Sequence, residues 1–149
     1  MKLGQTMIKL SQRDNRWSFK TIGNTKVTIG AMGCTITCLS MASDWFGCYH
    51  DPDWMAKNLS FTNDAKVYWS SIDRQTCFKF EWRFYKYEES RILEAIKNPN
   101  KVCLLNVYNK HWVLAVKKII GGFWVVDPWT GGNKFYATGS ISGGAILKK

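Results

Sequence analysis

The sequence predicts an α+β fold in which an N-terminal central helix packs on a mainly antiparallel sheet. The segment from Cys34 to about Phe46 has apolar or small residues nearly all round a helix, which is typical of a central buried helix. Later in the chain, three strand-like segments follow one another with short connections that contain glycine or asparagine, which favours antiparallel neighbours. Helices followed by such a sheet are the α+β order.

The first half of the chain is predicted to be helical. The central helix is expected to stop at Gly47. In DPDWMAKNLSF, Asp51 is a candidate N-cap and Pro52 stands at the first helical position, so a second short helix starts there. The segment NDAKVYWSSIDRQT is ambiguous, and we expect a turn and a short helix in it.

The second half of the chain is predicted to supply the sheet. FKFEWRFYKY alternates as a strand does. EESRILEAIKN has apolar residues at helical spacing, acids at its start and Pro99 beyond its end, and is predicted to be a helix. The three consecutive strands are KVCLLNVY, HWVLAVKKI and FWVVDPW.

Length and composition indicate a folded chain that we treat as one domain, residues 1–149. Hydrophobic residues make up 46% of it, which excludes a disordered or collagen-like chain. No apolar run approaches the ~20 residues that span a membrane. The N-terminal MKLGQTMIKLSQRD has lysines but no continuous apolar core and no clear cleavage site, so no secretory signal is expected.

The chain is basic, with 21 lysines and arginines against 11 acids and a formal charge of +10. A basic surface favours polyanions such as nucleic acid, anionic lipid or the acidic polymers of a bacterial wall, or it serves solubility alone. There is no P-loop, zinc-finger spacing or basic base-reading helix, so nucleic acid is not the expected partner.

The five cysteines are an odd number: Cys34, Cys38, Cys48, Cys77 and Cys103. A small secreted domain would normally pair them all, so we expect reduced cysteines in a reducing compartment, mostly as small core residues. There is no C-x-x-C pair, and the two histidines are His50 and His111. Structural zinc needs four well-spaced ligands, so no metal and no cofactor are expected.

Cys34 is the first candidate for chemistry, because it falls at the N-terminal end of the central helix. The unpaired N–H groups and the positive end of the helix dipole favour a thiolate there. Gly33 lets the backbone turn tightly and leaves room for a substrate carbonyl. The alternative is a buried structural cysteine after a turn glycine.

His111 and Asp127 are predicted to meet at one end of two paired strands. His111 begins a strand and Asp127 ends the next one. If KKIIGGF forms the hairpin, the pairing places residue 111 opposite residue 127. An aspartate there accepts from the imidazole and holds its tautomer. Taken alone, the histidine is typical of a surface residue and the aspartate of a turn before Pro128.

Gln12, in LSQRDNRWSF, is the fourth candidate. A glutamine amide near a nucleophile can donate to the oxyanion of a tetrahedral intermediate, with the Cys34 N–H as second donor. The order glutamine, helix-start cysteine, histidine, aspartate is the papain-like order.

The motifs SQRDNRW, GCTITCLSM, HWVLAV and VVDPWTGG resemble those of the papain-like cysteine peptidases, specifically the branch related to the bacteriocin-processing peptidases that cut after double-glycine leaders. The resemblance spans residues 11 to about 132 and implies a papain-like fold. It implies Cys34 as nucleophile, His111 as base, Asp127 as orienting acid and Gln12 as oxyanion donor.

Two features depart from that pattern. Many relatives have glycine-proline after the cysteine, where Thr35 and Ile36 stand here. The helical segment between the second helix and the middle strand is short, which predicts an open cleft. The double glycine of SGGAILKK, Gly143 and Gly144, is predicted as a flexible turn, with self-cleavage there as the alternative.

The resemblance implies cysteine-dependent hydrolysis of a peptide or amide bond, with either a protein or bacterial cell-wall peptides as substrate. The basic charge and the eight tryptophans favour the wall. Such a domain without a signal peptide fits a phage or mobile element, and would work in the cytoplasm, after lysis or in a virion. A catalytically inactive fold used as a binding or structural module is the alternative.

Overall fold

The computed structural model describes residues 7–149. This part of the chain has five α-helices: α1 Ile29–Met32, α2 Cys34–Trp45, α3 Pro52–Asn58, α4 Ser70–Gln75 and α5 Glu89–Lys97. It has six strands: β1 Lys79–Phe84, β2 Lys101–Val107, β3 His111–Ile119, β4 Gly122–Asp127, β5 Gly132–Ala137 and β6 Ile141–Lys148. A 3-10 turn, Thr138–Ser140, joins the last two strands.

The six strands form one sheet in the order β1-β6-β2-β3-β4-β5, and every neighbouring pair is antiparallel. The predicted α+β class with an antiparallel sheet is confirmed. The last strand in the sequence, β6, lies between the edge strand β1 and β2, so strands that are neighbours in the sheet are far apart in the sequence. Strands β5 and β6 and the short helix α1 have no counterpart in the prediction.

The sheet carries a hydrophobic core on each face. Helix α2 packs against β3 and α3, and its Leu39 and Met41 share a core with Leu104 and Leu114 of the sheet. Helix α5 packs against β2 on the opposite face, where Ile92 is buried. The sheet and α3 cover different sides of α2. This explains why α2 has apolar or small residues on nearly all of its faces.

The predicted helix ends are confirmed. Helix α2 begins directly after Gly33 and its C-cap is Phe46, followed by Gly47 in the left-handed region with φ +86°. The Asp51 side chain caps α3 by accepting from the N–H of Trp54 at 2.8 Å, and Pro52 is the first residue of that helix. The expected turn and short helix are α4, and the predicted helix after β1 is α5.

The prediction of a flexible turn at Gly143 and Gly144 is wrong. Both glycines lie inside β6, where Gly144 pairs with Phe84 on one side and Leu105 on the other. Glycine is required at both positions because neighbouring atoms occupy the space that a side chain would need. A Cβ on Gly144 would lie 2.6 Å from the Leu104 carbonyl oxygen. A doubly paired, buried peptide is inaccessible to a protease, so self-cleavage at this site is also excluded in the folded chain.

The prediction that the cysteines are reduced is wrong for two of them. Cys48 and Cys77 form a disulfide with a Cα–Cα distance of 6.2 Å, which lies in the usual range. Cys48 follows the end of α2 and Cys77 follows α4, so the bond joins two loop positions that the fold brings together. Cys34, Cys38 and Cys103 are free and buried.

The predicted register of the β3–β4 hairpin is shifted. Pairing His111 with Asp127 would put Leu114 opposite Trp124, whereas Leu114 faces Val126. The turn is centred on Ile120 and Gly121, whose φ of +81° suits the tight connection. An irregularity between Ala115 and Lys117 changes the register along the hairpin. The two strand ends nevertheless lie at the same edge of the sheet.

No helix among residues 7–149 is long and apolar enough to cross a bilayer. The expectation of no secretory signal rests on MKLGQTMIKLSQRD, and its first six residues lie outside the described residues.

We expect Gly144→Ala to destabilise the fold strongly, because its Cβ would collide with the Phe84 ring and with the Leu104 carbonyl. Overpacking of this kind costs about 1–3 kcal/mol, which corresponds to a fall in Tm of several degrees, measurable by thermal circular dichroism. Gly139→Ala is the matched control, since a Cβ there meets nothing within 4 Å. Equal Tm values for the two variants would contradict the packed position of Gly144.

Candidate active site

Cys34 is the first residue of α2, and Gly33 makes its position possible. Gly33 separates α1 from α2, and a Cβ on it would collide with the Ile29 carbonyl oxygen. The chain therefore needs glycine at this break. A helix N-terminus carries N–H groups without helical acceptors and the positive end of the helix dipole, and both favour a thiolate at Cys34.

His111 and Asp127 are in direct contact, as their places at the start of β3 and the end of β4 predict. His111 Nε2 lies 2.7 Å from Asp127 Oδ1. The imidazole also hydrogen-bonds the Cys34 side chain, and because Nε2 faces the carboxylate, Nδ1 is the nitrogen left for the sulfur. The structure thus brings three of the four candidate residues together in one chain of contacts.

The Asp127 carboxylate is 4% exposed and is held by three donors. Oδ1 accepts from His111 and from the Trp129 N–H at 2.9 Å. Oδ2 accepts from the Tyr136 hydroxyl of β5, also at 2.9 Å. A buried charge without such partners would be costly, so these bonds fix the position of the carboxylate and of the imidazole it holds.

The surroundings of Cys34 favour its thiolate. Burial by itself raises the pKa of Cys34, but the hydrogen bond with His111 and the one from the Trp112 backbone outweigh burial, and the pKa lies below its usual range. The neighbouring Cys38 and Cys103 are different, because burial raises the pKa of both thiols. Cys34 is therefore the reactive thiol among the three free cysteines of the described chain.

The surroundings of His111 and Asp127 favour the charged form of each side chain. Burial works against an imidazolium, but the hydrogen bonds with Asp127 and Cys34 outweigh it and raise the pKa of His111 to about 9. Burial likewise works against the carboxylate, but the bonds from His111, the Trp129 backbone and Tyr136 lower the pKa of Asp127 to about 2. The shifts therefore favour a thiolate at Cys34, an imidazolium at His111 and a carboxylate at Asp127.

Gln12 lies beside this chain of contacts without joining it. Its side-chain Nε2 donates to the Gly30 carbonyl at 3.1 Å, its Oε1 is buried without a partner among the described residues, and its own N–H donates to the Pro128 carbonyl at 2.7 Å. Gly30 belongs to α1, which Gly33 separates from the helix that begins at Cys34. The Gln12 amide is therefore held beside the short helix that precedes Cys34.

The segment around Gln12 is tied to the loop that carries Asp127. Ser11 Oγ and Arg13 Nε both donate to the Trp129 carbonyl, at 3.0 and 2.9 Å, and the Trp17 indole donates to the Ser11 carbonyl at 2.8 Å. The motif SQRDNRW thus serves as a brace between the end of β4 and helix α1.

The sequence does not predict three residues that hydrogen-bond to the site. The Trp112 backbone bonds Cys34, and the Trp129 N–H and the Tyr136 hydroxyl donate to Asp127. Trp112 and Trp129 are neighbours of predicted site residues, so the strand start and the DPW turn are signals that point to them. Tyr136 lies on a strand that the sequence did not predict, and no signal indicates it.

No group of three or more His, Cys, Asp or Glu side chains in residues 7–149 is placed to hold a metal ion. One surface cavity, of about 540 Å³, is lined by residues such as Asn24, Lys57 and Thr62 and by none of the four candidates.

No protein-family model matches this chain, and no curated protein matches it significantly.

We expect Cys34 to react with iodoacetamide at pH 7 at least tenfold faster than in His111→Ala. The lowered pKa raises the thiolate fraction of Cys34 at this pH, and reactivity falls as the pH falls through that pKa. Without His111, burial raises the pKa, so reactivity returns only at alkaline pH. Alkylation is located by peptide mass mapping.

His50→Ala is the matched control, because this second histidine stacks on Trp54 at 3.6 Å and is not among the groups that set the Cys34 pKa. Its labelling rate should equal that of the unmutated protein. Equal rates in His111→Ala and the unmutated protein, or faster labelling of Cys38, would contradict the ion pair.

We expect Tyr136→Phe to lower the free energy of unfolding by about 1.5–3 kcal/mol, the range for hydrogen bonds to charged groups, and to slow Cys34 alkylation through a less firmly held Asp127. Tyr87→Phe is the control, since its hydroxyl also donates to a carboxylate, Glu89 at 2.9 Å, but on the surface. The free energy of unfolding of both variants is measured by urea denaturation. A cost at position 136 no larger than that at position 87 would show that the Tyr136 bond does not anchor the site.

Proposed function

We propose that this chain is a cysteine-dependent hydrolase of peptide or amide bonds. The observation that carries the proposal is the line of contacts from Cys34 through His111 to Asp127, with pKa shifts that favour a thiolate and an imidazolium. A structural cysteine needs neither a lowered pKa nor a histidine held by a buried carboxylate.

The reaction follows from the roles these groups can take. The Cys34 thiolate attacks the carbonyl carbon, and the C=O electrons move to the oxygen. His111 gives its proton to the leaving nitrogen as the C–N bond breaks, which leaves an acyl thioester on Cys34. His111 then takes a proton from water as the water attacks, and the C–S bond breaks to free the acid and the thiolate.

The oxyanion of both steps would be met by the N–H of Cys34 and by the Gln12 amide. Gln12 Nε2 has two N–H groups, and one of them is used by the Gly30 carbonyl. The second remains for the oxyanion, provided that substrate occupies the space beside Cys34.

The papain-like assignment is part of this proposal. It is supported by a helix that starts at the cysteine and packs on an antiparallel sheet that supplies histidine and aspartate from neighbouring strands. The departure at Thr35 and Ile36 is accommodated, since Ile36 is 2% exposed and belongs to the core below the sheet.

We propose cell-wall peptides as the first substrate class to test and a protein substrate as the second. The formal charge of +10 favours an anionic wall polymer. The Cys48–Cys77 disulfide favours an oxidising environment over the reducing cytoplasm. Both agree with an enzyme that a phage or mobile element releases by lysis or carries in a virion.

We expect the purified protein to sediment with isolated bacterial walls at low salt and to release from them at 1 M salt, because the Debye length falls from ~10 Å at 0.1 M to ~3 Å at 1 M. The unmutated protein should also release new amino groups from the walls. Cys34→Ala should sediment equally and release none. Cys103→Ala, which removes a buried thiol on the other face of the sheet, should keep hydrolysis.

Absence of wall binding at every salt concentration would remove the wall substrate and leave a protein substrate. Binding without release of amino groups by the unmutated protein would favour the binding module over either enzyme.

A further inference from the structure

Arg83 is a half-buried guanidinium on the sheet face that carries α2. Its Nη1 donates to the backbone carbonyls of Phe84 and Gly144, the latter at 3.2 Å. The guanidinium carbon lies 4.1 Å from the ring centre of Tyr85 and 4.9 Å from that of Trp112. The charge is thus flanked by two aromatic rings, which hold its plane in place.

Arg83 has no carboxylate partner in the part of the chain that the structure describes. The nearest acid along its strand, Glu81, is engaged by Lys101 at 3.1 Å and by Lys148 at 4.0 Å. Burial lowers the pKa of Arg83, and no acid offsets this cost. A partly desolvated guanidinium whose Nε and Nη2 have no acceptor in the described chain is a ready partner for an anion.

The sheet is shaped to admit this side chain. Arg83 pairs with Ala145, and Gly143 lies two residues before Ala145 on the same face. A Cβ on Gly143 would lie 3.1 Å from Arg83 Nη1. The glycine therefore leaves space across β6 in which the Arg83 side chain extends towards Trp112, which lies on β3, three strands away from β1 in the sheet.

Trp112 connects this guanidinium to the nucleophile. It follows His111 directly, and its backbone hydrogen-bonds the Cys34 sulfur. Trp69 meets Trp112 edge-on at 5.4 Å and stacks on Phe80 at the same distance, so an aromatic surface extends from the reactive thiol past Arg83. An extended peptide advances about 3.3 Å per residue, so a substrate bound at Cys34 would lay the side chains next to its scissile bond along this aromatic surface.

We propose that Arg83 and Trp112 form a subsite for a carboxylate on the substrate, one or two residues from the bond that Cys34 attacks. The inference rests on the proposed function and adds a substrate class to it, a peptide with an acidic group beside the cleavage point. The guanidinium binds the carboxylate through its free N–H groups, while Trp112 and Trp69 pack on the aliphatic part.

The carboxylate has two sources, which matched probes separate. One is the side chain of L-glutamate in a protein, tested with N-acetyl-Glu-Gly chloromethyl ketone against its Gln counterpart. The other is the free α-carboxylate of a γ-linked D-glutamate in a wall peptide, tested with the γ-D-Glu-Gly chloromethyl ketone against its α-amide. Each probe alkylates Cys34 with loss of chloride, and the second-order rate is measured by mass spectrometry.

We expect at least one acidic probe to react roughly tenfold or more faster than its amide, and Arg83→Gln to reduce that ratio to about one. Arg83→Lys should keep part of the preference, because it retains the charge without the planar fork. Arg91→Gln is the control: its guanidinium also lies over an aromatic ring, Trp82 at 4.7 Å, but it pairs with Glu88. Its ratio should equal that of the unmutated protein.

The amide probes separate this inference from the proposed function. If they label Cys34 at the same rate in the unmutated protein and in Arg83→Gln, the fold and the nucleophile are intact, and a ratio near one for both acidic probes overturns the carboxylate subsite alone. If no probe labels Cys34 in the unmutated protein, both proposals fall. A preference that survives in Arg83→Gln assigns the recognition to another residue and also overturns the inference.

Discussion

The buried carboxylate of Asp127 is the constraint on which the geometry of the site depends. A charge with 4% exposure must have partners, and its partners come from three different parts of the chain. His111 begins β3, Trp129 follows the DPW turn, and Tyr136 comes from β5. The hydrogen bonds that this carboxylate needs therefore hold the start of β3, the DPW turn and β5 close together. The same bonds keep the His111 imidazole beside Asp127.

Cys34, the proposed nucleophile, is positioned separately by the break at Gly33, and the motif SQRDNRW connects this part of the chain to the loop that carries Asp127. Gln12 bonds Gly30 in front of the nucleophile and Pro128 beside the carboxylate. One residue thus links the short helix before Cys34 to the loop that follows Asp127. This arrangement explains why residues around position 12 belong with the site even though Gln12 makes no hydrogen bond to the other three candidates in the described chain.

Local signals in the sequence were sufficient for helices α2 to α5 and for the meeting of His111 and Asp127, and insufficient for strands β5 and β6 and for the hydrogen bond from Tyr136. Gly33, Gly47, Asp51 and Pro52 act within a few residues of themselves, so their effects could be predicted. The place of β6 could not, because its glycines are required by Phe84 and Leu104, which contact it only through the fold. The Cys48–Cys77 bond and the role of Tyr136 are long-range in the same sense. The predicted register of the β3–β4 hairpin was wrong by two residues at Leu114. The irregularity between Ala115 and Lys117 that shifts it cannot be recognised from the alternation of apolar and polar residues.

The raised pKa of His111 gives the proposed reaction its direction. An imidazolium with a pKa of about 9 lies between the ordinary values of an α-amino group and a lysine amine, so it is well matched to protonate an amine leaving group. Part of that elevation comes from the Cys34 thiolate. Acylation consumes the thiolate's charge, so in the thioester only Asp127 supports the imidazolium against burial. The pKa of His111 then falls, and the same ring that was an acid in the first step becomes a better base towards water in the second. The buried Asp127 carboxylate limits the fall of the His111 pKa, because its hydrogen bond and its charge still stabilise the imidazolium after the thiolate is lost.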